Sequence, residues 1–170
     1  MLKPILLLLL LFISSSTSQS NPTSLLEPKR IESLTIQSNE HLTTTCYYDV
    51  YITTSCSSPT YTRDQISISF GDAYGYQVYA PRIDDPRSGA FERCSTDTYR
   101  LSGPCMYQIC YLYLYRTGSD GWKPESVTVY QPSWQPAYFY YNTYVPYGVW
   151  FGFNYCNNVN VVKAAAAAAA

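Results

Sequence analysis

The stretch Gln65-Ile66-Ser67-Ile68-Ser69-Phe70 decides the fold class, because it alternates without a fault and places Ile66, Ile68 and Phe70 on one face. A side-chain period of two marks a half-buried strand, whereas an amphipathic helix repeats every 3.6 residues. The same period returns at Tyr48, Val50 and Ile52, and at Cys110, Leu112 and Leu114 against Tyr111, Tyr113 and Tyr115. It recurs at Val127 and Val129, at Ala137, Phe139 and Tyr141, and at Val149, Phe151 and Phe153. Turn residues separate these runs: Gly71-Asp72-Ala73-Tyr74-Gly75, Ser102-Gly103-Pro104, Gly118-Ser119-Asp120-Gly121 and Val145-Pro146-Tyr147-Gly148. No window carries a helical stripe. Seven or eight short strands over about 115 residues predict a β-sandwich, which buries one face of each of two antiparallel sheets.

Outward from this domain, set at 43–157, the composition changes on both sides. Residues 1–18 have the order of a secretory signal: Lys3, the apolar run Ile5–Ile13, then small polar residues, with Ser16 and Ser18 suited to a cut before Gln19. The apolar run is about half the roughly 20 residues needed to span a bilayer. Secretion to the extracellular space is the expected destination. Residues 19–42 are polar and aperiodic and read as a flexible leader, within which Ile31-Glu32-Ser33-Leu34-Thr35-Ile36 has the makings of a short strand. Residues 158–170 form a low-complexity tail ending in a run of alanines.

All six cysteines, Cys46, Cys56, Cys94, Cys105, Cys110 and Cys156, fall within the domain. An even number in an exported chain of this size reads as a disulfide framework. A zinc site would show paired Cys-x-x-Cys or nearby histidines, and the one histidine, His41, is in the leader. Six cysteines allow 15 connectivities. A bond from Cys46 to Cys156 is the favoured guess, since it would join the domain's two ends and stabilise it by about 3–5 kcal/mol.

The formal charge is −1, and loss of Lys3 with the signal takes it to −2. Such a chain lacks the basic footprint that nucleic acid requires. Charged residues are sparse and tyrosines number 19, so the surface must expose aromatic rings with polar tips. Surfaces of that kind meet sugars, lipid headgroups or other proteins.

Two further strings carry a resemblance. Phe91-Glu92-Arg93-Cys94-Ser95-Thr96-Asp97-Thr98-Tyr99-Arg100-Leu101 precedes the strand 107–115, and Gly118-Ser119-Asp120-Gly121-Trp122-Lys123-Pro124-Glu125-Ser126-Val127 follows it. Together they resemble the PLAT/LH2 domain. A closer similarity is to the embryo-specific seed proteins of plants, small relatives of that domain. It is carried by Cys56-Ser57-Ser58-Pro59, Tyr61-Thr62-Arg63-Asp64-Gln65-Ile66-Ser67, Gly71-Asp72-Ala73-Tyr74-Gly75 and Tyr140-Tyr141-Asn142-Thr143. The resemblance implies an eight-stranded antiparallel β-sandwich, a role in seed or embryo development, and no known reaction. In larger proteins the PLAT domain is an accessory module docking on membranes, lipids or proteins, so what it implies here is binding.

Catalysis finds little material. Neutral-pH acid–base chemistry most often uses histidine, and the domain has none, which removes the usual serine triad and Cys–His pair. Asp84, Asp85, Glu92 and Asp97 would supply carboxylates for glycoside hydrolysis. However, Asp84-Asp85-Pro86 reads more simply as a turn, and Asp97, near Arg93 and Arg100, as an ion-pair partner or backbone acceptor. No catalytic residue is assigned and no cofactor is expected. Calcium is the one exception to weigh, because some PLAT domains hold it in loops. The loop aspartates Asp72, Asp84, Asp85 and Asp120 are the candidate ligands, though no motif of fixed spacing joins them.

The aromatic residues carry the binding expectation. Tyr111, Tyr113 and Tyr115, with Tyr107, lie opposite the apolar set of their strand and offer either lateral packing or a ligand platform. Trp150 sits opposite Phe151 and Phe153 and would line the same surface, whereas Trp122 is expected to be a packing residue. Trp134 lies in Gln131-Pro132-Ser133-Trp134-Gln135-Pro136, a loop with proline on both sides that presents the ring to a membrane interface, a sugar or the sheet edge. Three classes of function follow. The first is a secreted module docking on a protein partner or lipid surface. The second is a cell-wall glycan binder using the Tyr/Trp platform, and the third a structural wall protein cross-linked through its tyrosines.

Overall fold

The computed structural model describes residues 27–36, 44–84 and 88–157. The signal 1–18 and the tail 158–170 lie outside the described residues, as do His41 and Asp85. Among the described residues nine strands follow in order: β1 (Lys29–Ile31), β2 (Thr45–Thr54), β3 (Gln65–Gly71), β4 (Gln77–Ala80), β5 (Thr96–Pro104), β6 (Tyr111–Thr117), β7 (Pro124–Tyr130), β8 (Ala137–Tyr140) and β9 (Trp150–Asn154). They form a five-stranded sheet, β1-β9-β6-β3-β4, and a four-stranded sheet, β5-β2-β7-β8. All the strand pairings are antiparallel. The fold is thus an all-β sandwich, with nine strands where eight were expected. β4 is the strand without a reading in the sequence, and β1 overlaps the short strand expected at 31–36 only at Ile31. β1, within the stretch read as a leader, pairs Ile31 with Trp150 at the edge of the larger sheet.

The alternation converts directly into a core. Ile66, Ile68 and Phe70 of β3 register against Arg116, Leu114 and Leu112 of β6. Tyr48, Val50 and Ile52 of β2 face them from the other sheet together with Val127, Val129 and Phe139, and all are buried. Each fully buried aliphatic side chain contributes about 1.5–3 kcal/mol. Trp122 is fully buried against Phe91, its Nε1 donating to Thr54 Oγ1 at 3.0 Å. A buried indole N–H left unpaired would cost about 1–3 kcal/mol, a sizeable part of what burying the ring gains.

Two expectations are corrected. Ser102-Gly103-Pro104 is no turn but the end of β5, paired with Tyr47, Cys46 and Thr45. Gly103 is there for close approach, since a Cβ would strike the Val78 side chain across the sandwich at 2.6 Å. The disulfides join Cys46 to Cys105, Cys56 to Cys94 and Cys110 to Cys156, which overturns the Cys46–Cys156 guess. Cys46 pairs in register with Gly103 on β5, beside Cys105, whereas Cys156 follows β9 in the opposite sheet.

Candidate functional site

Strand length and hairpin direction bring three loops to one end of the sandwich: 72–76 between β3 and β4, 105–110 between β5 and β6, and 131–136 between β7 and β8. Each offers one ring. Tyr74 and Tyr107 have centroids 4.7 Å apart, and Tyr107 and Trp134 lie 6.4 Å apart. These side chains are 74%, 53% and 46% exposed respectively. Sequence reasoning selected Trp134, grouped Tyr107 with the strand tyrosines and missed Tyr74. The signal for Tyr74 was a large ring in a Gly-Asp-x-x-Gly turn, where no strand can bury it.

The support beneath the rings is rigid. Asp72, 3% exposed, accepts the backbone N–H of Tyr74 (2.8 Å) and Tyr76 (3.0 Å) through Oδ1, and that of Tyr107 (2.9 Å) through Oδ2. Gln131 accepts Ile109 N–H at 3.1 Å and donates to the Tyr107 carbonyl at 3.2 Å. Gln108 donates to the Gln135 carbonyl at 3.3 Å, tying the second loop to the third. Disulfides pin the Tyr107 loop at both ends, Cys105 to β2 and Cys110 to Cys156.

The outer face of the five-stranded sheet is a second aromatic surface. Alternation against the core turns Gln65, Ser67 and Ser69 of β3 outward, with Gln77 and Tyr79 of β4, Tyr111, Tyr113, Tyr115 and Thr117 of β6, and Trp150 and Asn154 of β9. Register also sets Lys29 and Ile31 of β1 on this face, at its edge, and apart from Lys29 these residues carry no charge. Trp150 lies 5.2 Å from Tyr115 and 5.9 Å from Tyr79, ring centre to ring centre. Tyr113 is buried, and burial raises its phenol above the ordinary value. Burial likewise raises Tyr111, against the lowering effect of the Gln77 hydrogen bond to its hydroxyl at 2.9 Å. The five candidate residues thus divide: Trp150 and Tyr115 stand together with Tyr79, Tyr111 and Tyr113 pack within the sheet, and Trp134 is at the loop end.

The carboxylates serve as braces. Asp84 accepts Ile66 N–H and pairs with Arg82, each at 2.8 Å, and Asp120 accepts Arg63 N–H at 2.9 Å. Asp97 accepts the Phe91 N–H at 2.8 Å, making it the backbone acceptor expected. Asp84 and Asp120 hold the start of β3, whereas Asp72 stands at its other end. Among the described residues no three His, Cys, Asp or Glu side chains converge to hold a metal ion. Asp72, Asp84 and Asp120, braced on separate backbone donors at opposite ends of β3, do not together fit a calcium ion, which takes six to eight oxygens in one place.

A family model described as Embryo-specific protein 3 matches residues 33–156. Embryo-specific protein ATS3B of Arabidopsis thaliana is 53% identical over 149 residues, 87% of this chain and 77% of that one. Embryo-specific protein ATS3A of the same plant is 60% identical over 118 residues, 69% of this chain and 66% of that one. Neither name is that of an enzyme. Among solved structures, coral 8R-lipoxygenase, described as activated by calcium through a C2-like domain, superposes with a TM-score of 0.53 at 21% identity. That match covers 62% of this chain and 17% of the lipoxygenase, and shows a shared fold.

Proposed function

The chain belongs to the Embryo-specific protein 3 family, and on that premise we propose that it is a secreted, non-catalytic docking module of the seed and embryo which meets a lipid surface through Tyr74, Tyr107 and Trp134. The observation that carries this reading is the meeting of three exposed rings, from three loops, on one braced end of the sandwich. Tyrosine and tryptophan favour the membrane–water interface, where an apolar ring sits beside wet headgroups. Because Asp72, Gln131 and two disulfides hold the loops in place, little ordering entropy opposes docking. The shared fold with a calcium-activated lipoxygenase supports a peripheral role, but not its calcium, since Asp72 is committed to three backbone donors here.

The test is flotation of the oxidised protein with vesicles of neutral and of anionic lipid, in calcium and in chelator. Binding that is independent of calcium and lost in Trp134→Ala and Tyr107→Ala is the expected result. Absence from the floated fraction under all four conditions would overturn the lipid reading.

A further inference from the structure

A groove of about 590 Å³ runs along the outer face of the five-stranded sheet. Its floor is Tyr79, Tyr115 and Trp150, with Gln65, Ser67 and Thr117 beside them. Its second wall is the segment after β1, through Glu32, Ser33, Leu34 and Ile36. We propose that this groove binds a neutral glycan chain, with Trp150 and Tyr115 as the stacking platform.

Sugar rings present flat C–H faces and a rim of hydroxyls, so a site for them needs aromatic faces ringed by groups that both donate and accept. The groove has both. The Trp150 ring meets both Tyr115 and Tyr79, with its centre 5.2 Å and 5.9 Å from theirs, and all three side chains are half-buried, which fixes them while leaving a face open. The Gln65 amide and the hydroxyls of Thr117 and the tyrosines supply two-way hydrogen-bonding groups. Ser67 is already committed as a donor to the Pro81 carbonyl, and retains acceptor capacity.

Charge selects the class of glycan. No lysine or arginine lines the groove, and its one ionised side chain is the exposed Glu32 at the rim. A carboxylated or sulfated chain would meet no cation and one like charge, so an uncharged chain is the matching occupant. The opposite sheet shows the contrast: its outer face sets Arg100 over the Tyr47 ring at 5.1 Å, a solvated charged pairing. The volume falls within the roughly 300–1,000 Å³ of small-ligand sites.

The proposal concerns a different face from the loop-end rings, so vesicle binding and glycan binding fail separately. The experiment is calorimetric titration of the oxidised protein with cellohexaose, xylohexaose and mannohexaose, with polygalacturonate as the acidic control. Saturable binding of at least one neutral hexasaccharide is expected, with none to polygalacturonate. Truncating an anchor ring should weaken it by about tenfold or more, in Trp150→Ala and in Tyr115→Ala. Thr117→Arg leaves every ring in place and narrows the groove, so it tests the site even where a ring variant fails to fold. Trp134→Ala should leave the titration unchanged. No saturable binding of the three neutral probes overturns the proposal, as does binding that survives both Trp150→Ala and Thr117→Arg, or a preference for polygalacturonate.

Discussion

Replacing Asp64 by alanine should be among the most damaging single changes away from the apolar core. Its carboxylate, 2% exposed, pairs with the Arg116 guanidinium, which is 10% exposed. It also accepts the backbone N–H of Asp120 (3.0 Å) and of Gly121 (2.9 Å). Arg116 reaches on to the carbonyls of Val145 at 2.9 Å and Gly118 at 3.2 Å. One ion pair therefore fastens the start of β3, the β6–β7 turn and the approach to β9. Unit charges about 4 Å apart attract by about 4 kcal/mol at an effective dielectric of about 20. Removing one partner of a buried pair typically costs about 3–5 kcal/mol, because the other charge stays buried and unpaired. The Asp120 and Gly121 donors lie in an accessible turn and can turn to water, so they add little. For a domain of this size about 4 °C is lost per kcal/mol, which places the fall in melting temperature near 12–20 °C. The assay is denaturant and thermal unfolding of the oxidised protein, in a cycle of Asp64→Ala, Arg116→Met and the double variant. The double variant should be less destabilised than the sum of the singles by about 2 kcal/mol or more, since it buries no lone charge. A loss below about 1 kcal/mol in Asp64→Ala, or zero coupling, would refute the reasoning.

Further outcomes follow from the same structure. Gly118→Ala should destabilise strongly, because φ is +139° and the added Cβ would overlap the Asp64 carboxylate; equilibrium unfolding measures it. Cys110→Ser with Cys156→Ser opens a bridge across a separation of 46 residues, and the chain-entropy relation gives a loss of about 4 kcal/mol, read from urea midpoints. Burial raises the phenols of Tyr48, Tyr111, Tyr113, Tyr141 and Tyr155 above their ordinary value. Below about pH 10 both states hold these protons and stability should be flat; above it the unfolded state ionises first, so stability should fall by up to about 1.4 kcal/mol per pH unit for each such group. Absorbance at alkaline pH should accordingly show these five phenols ionising together with loss of the folded state; their ionisation near pH 10 in the folded protein would contradict this.

The fold class was legible because a period of two survives any tertiary context: whichever way the sheets pack, Ile66, Ile68 and Phe70 must share a face. The loop aspartates were legible as turn formers for the same local reason. What local pattern does not encode is which strands become neighbours. β4 had no reading in the sequence and only its pairing with β3 makes it a strand, while β1 takes its place at Lys29–Ile31, rather than along 31–36, from its pairing with β9. Gly103-Pro104 has the composition of a turn, and only Val78 from the opposite sheet explains the glycine. The disulfide pairing follows strand order, which put Cys105 beside Cys46 and left Cys156 to Cys110. The aromatic surfaces divide the same way. That many tyrosines must meet solvent could be counted from the chain alone, because too few charged residues exist to cover it. That Tyr74, Tyr107 and Trp134 meet at one end, and Tyr79, Tyr115 and Trp150 on one face, was decided by hairpin direction and register, which are long-range properties of the packed sheets.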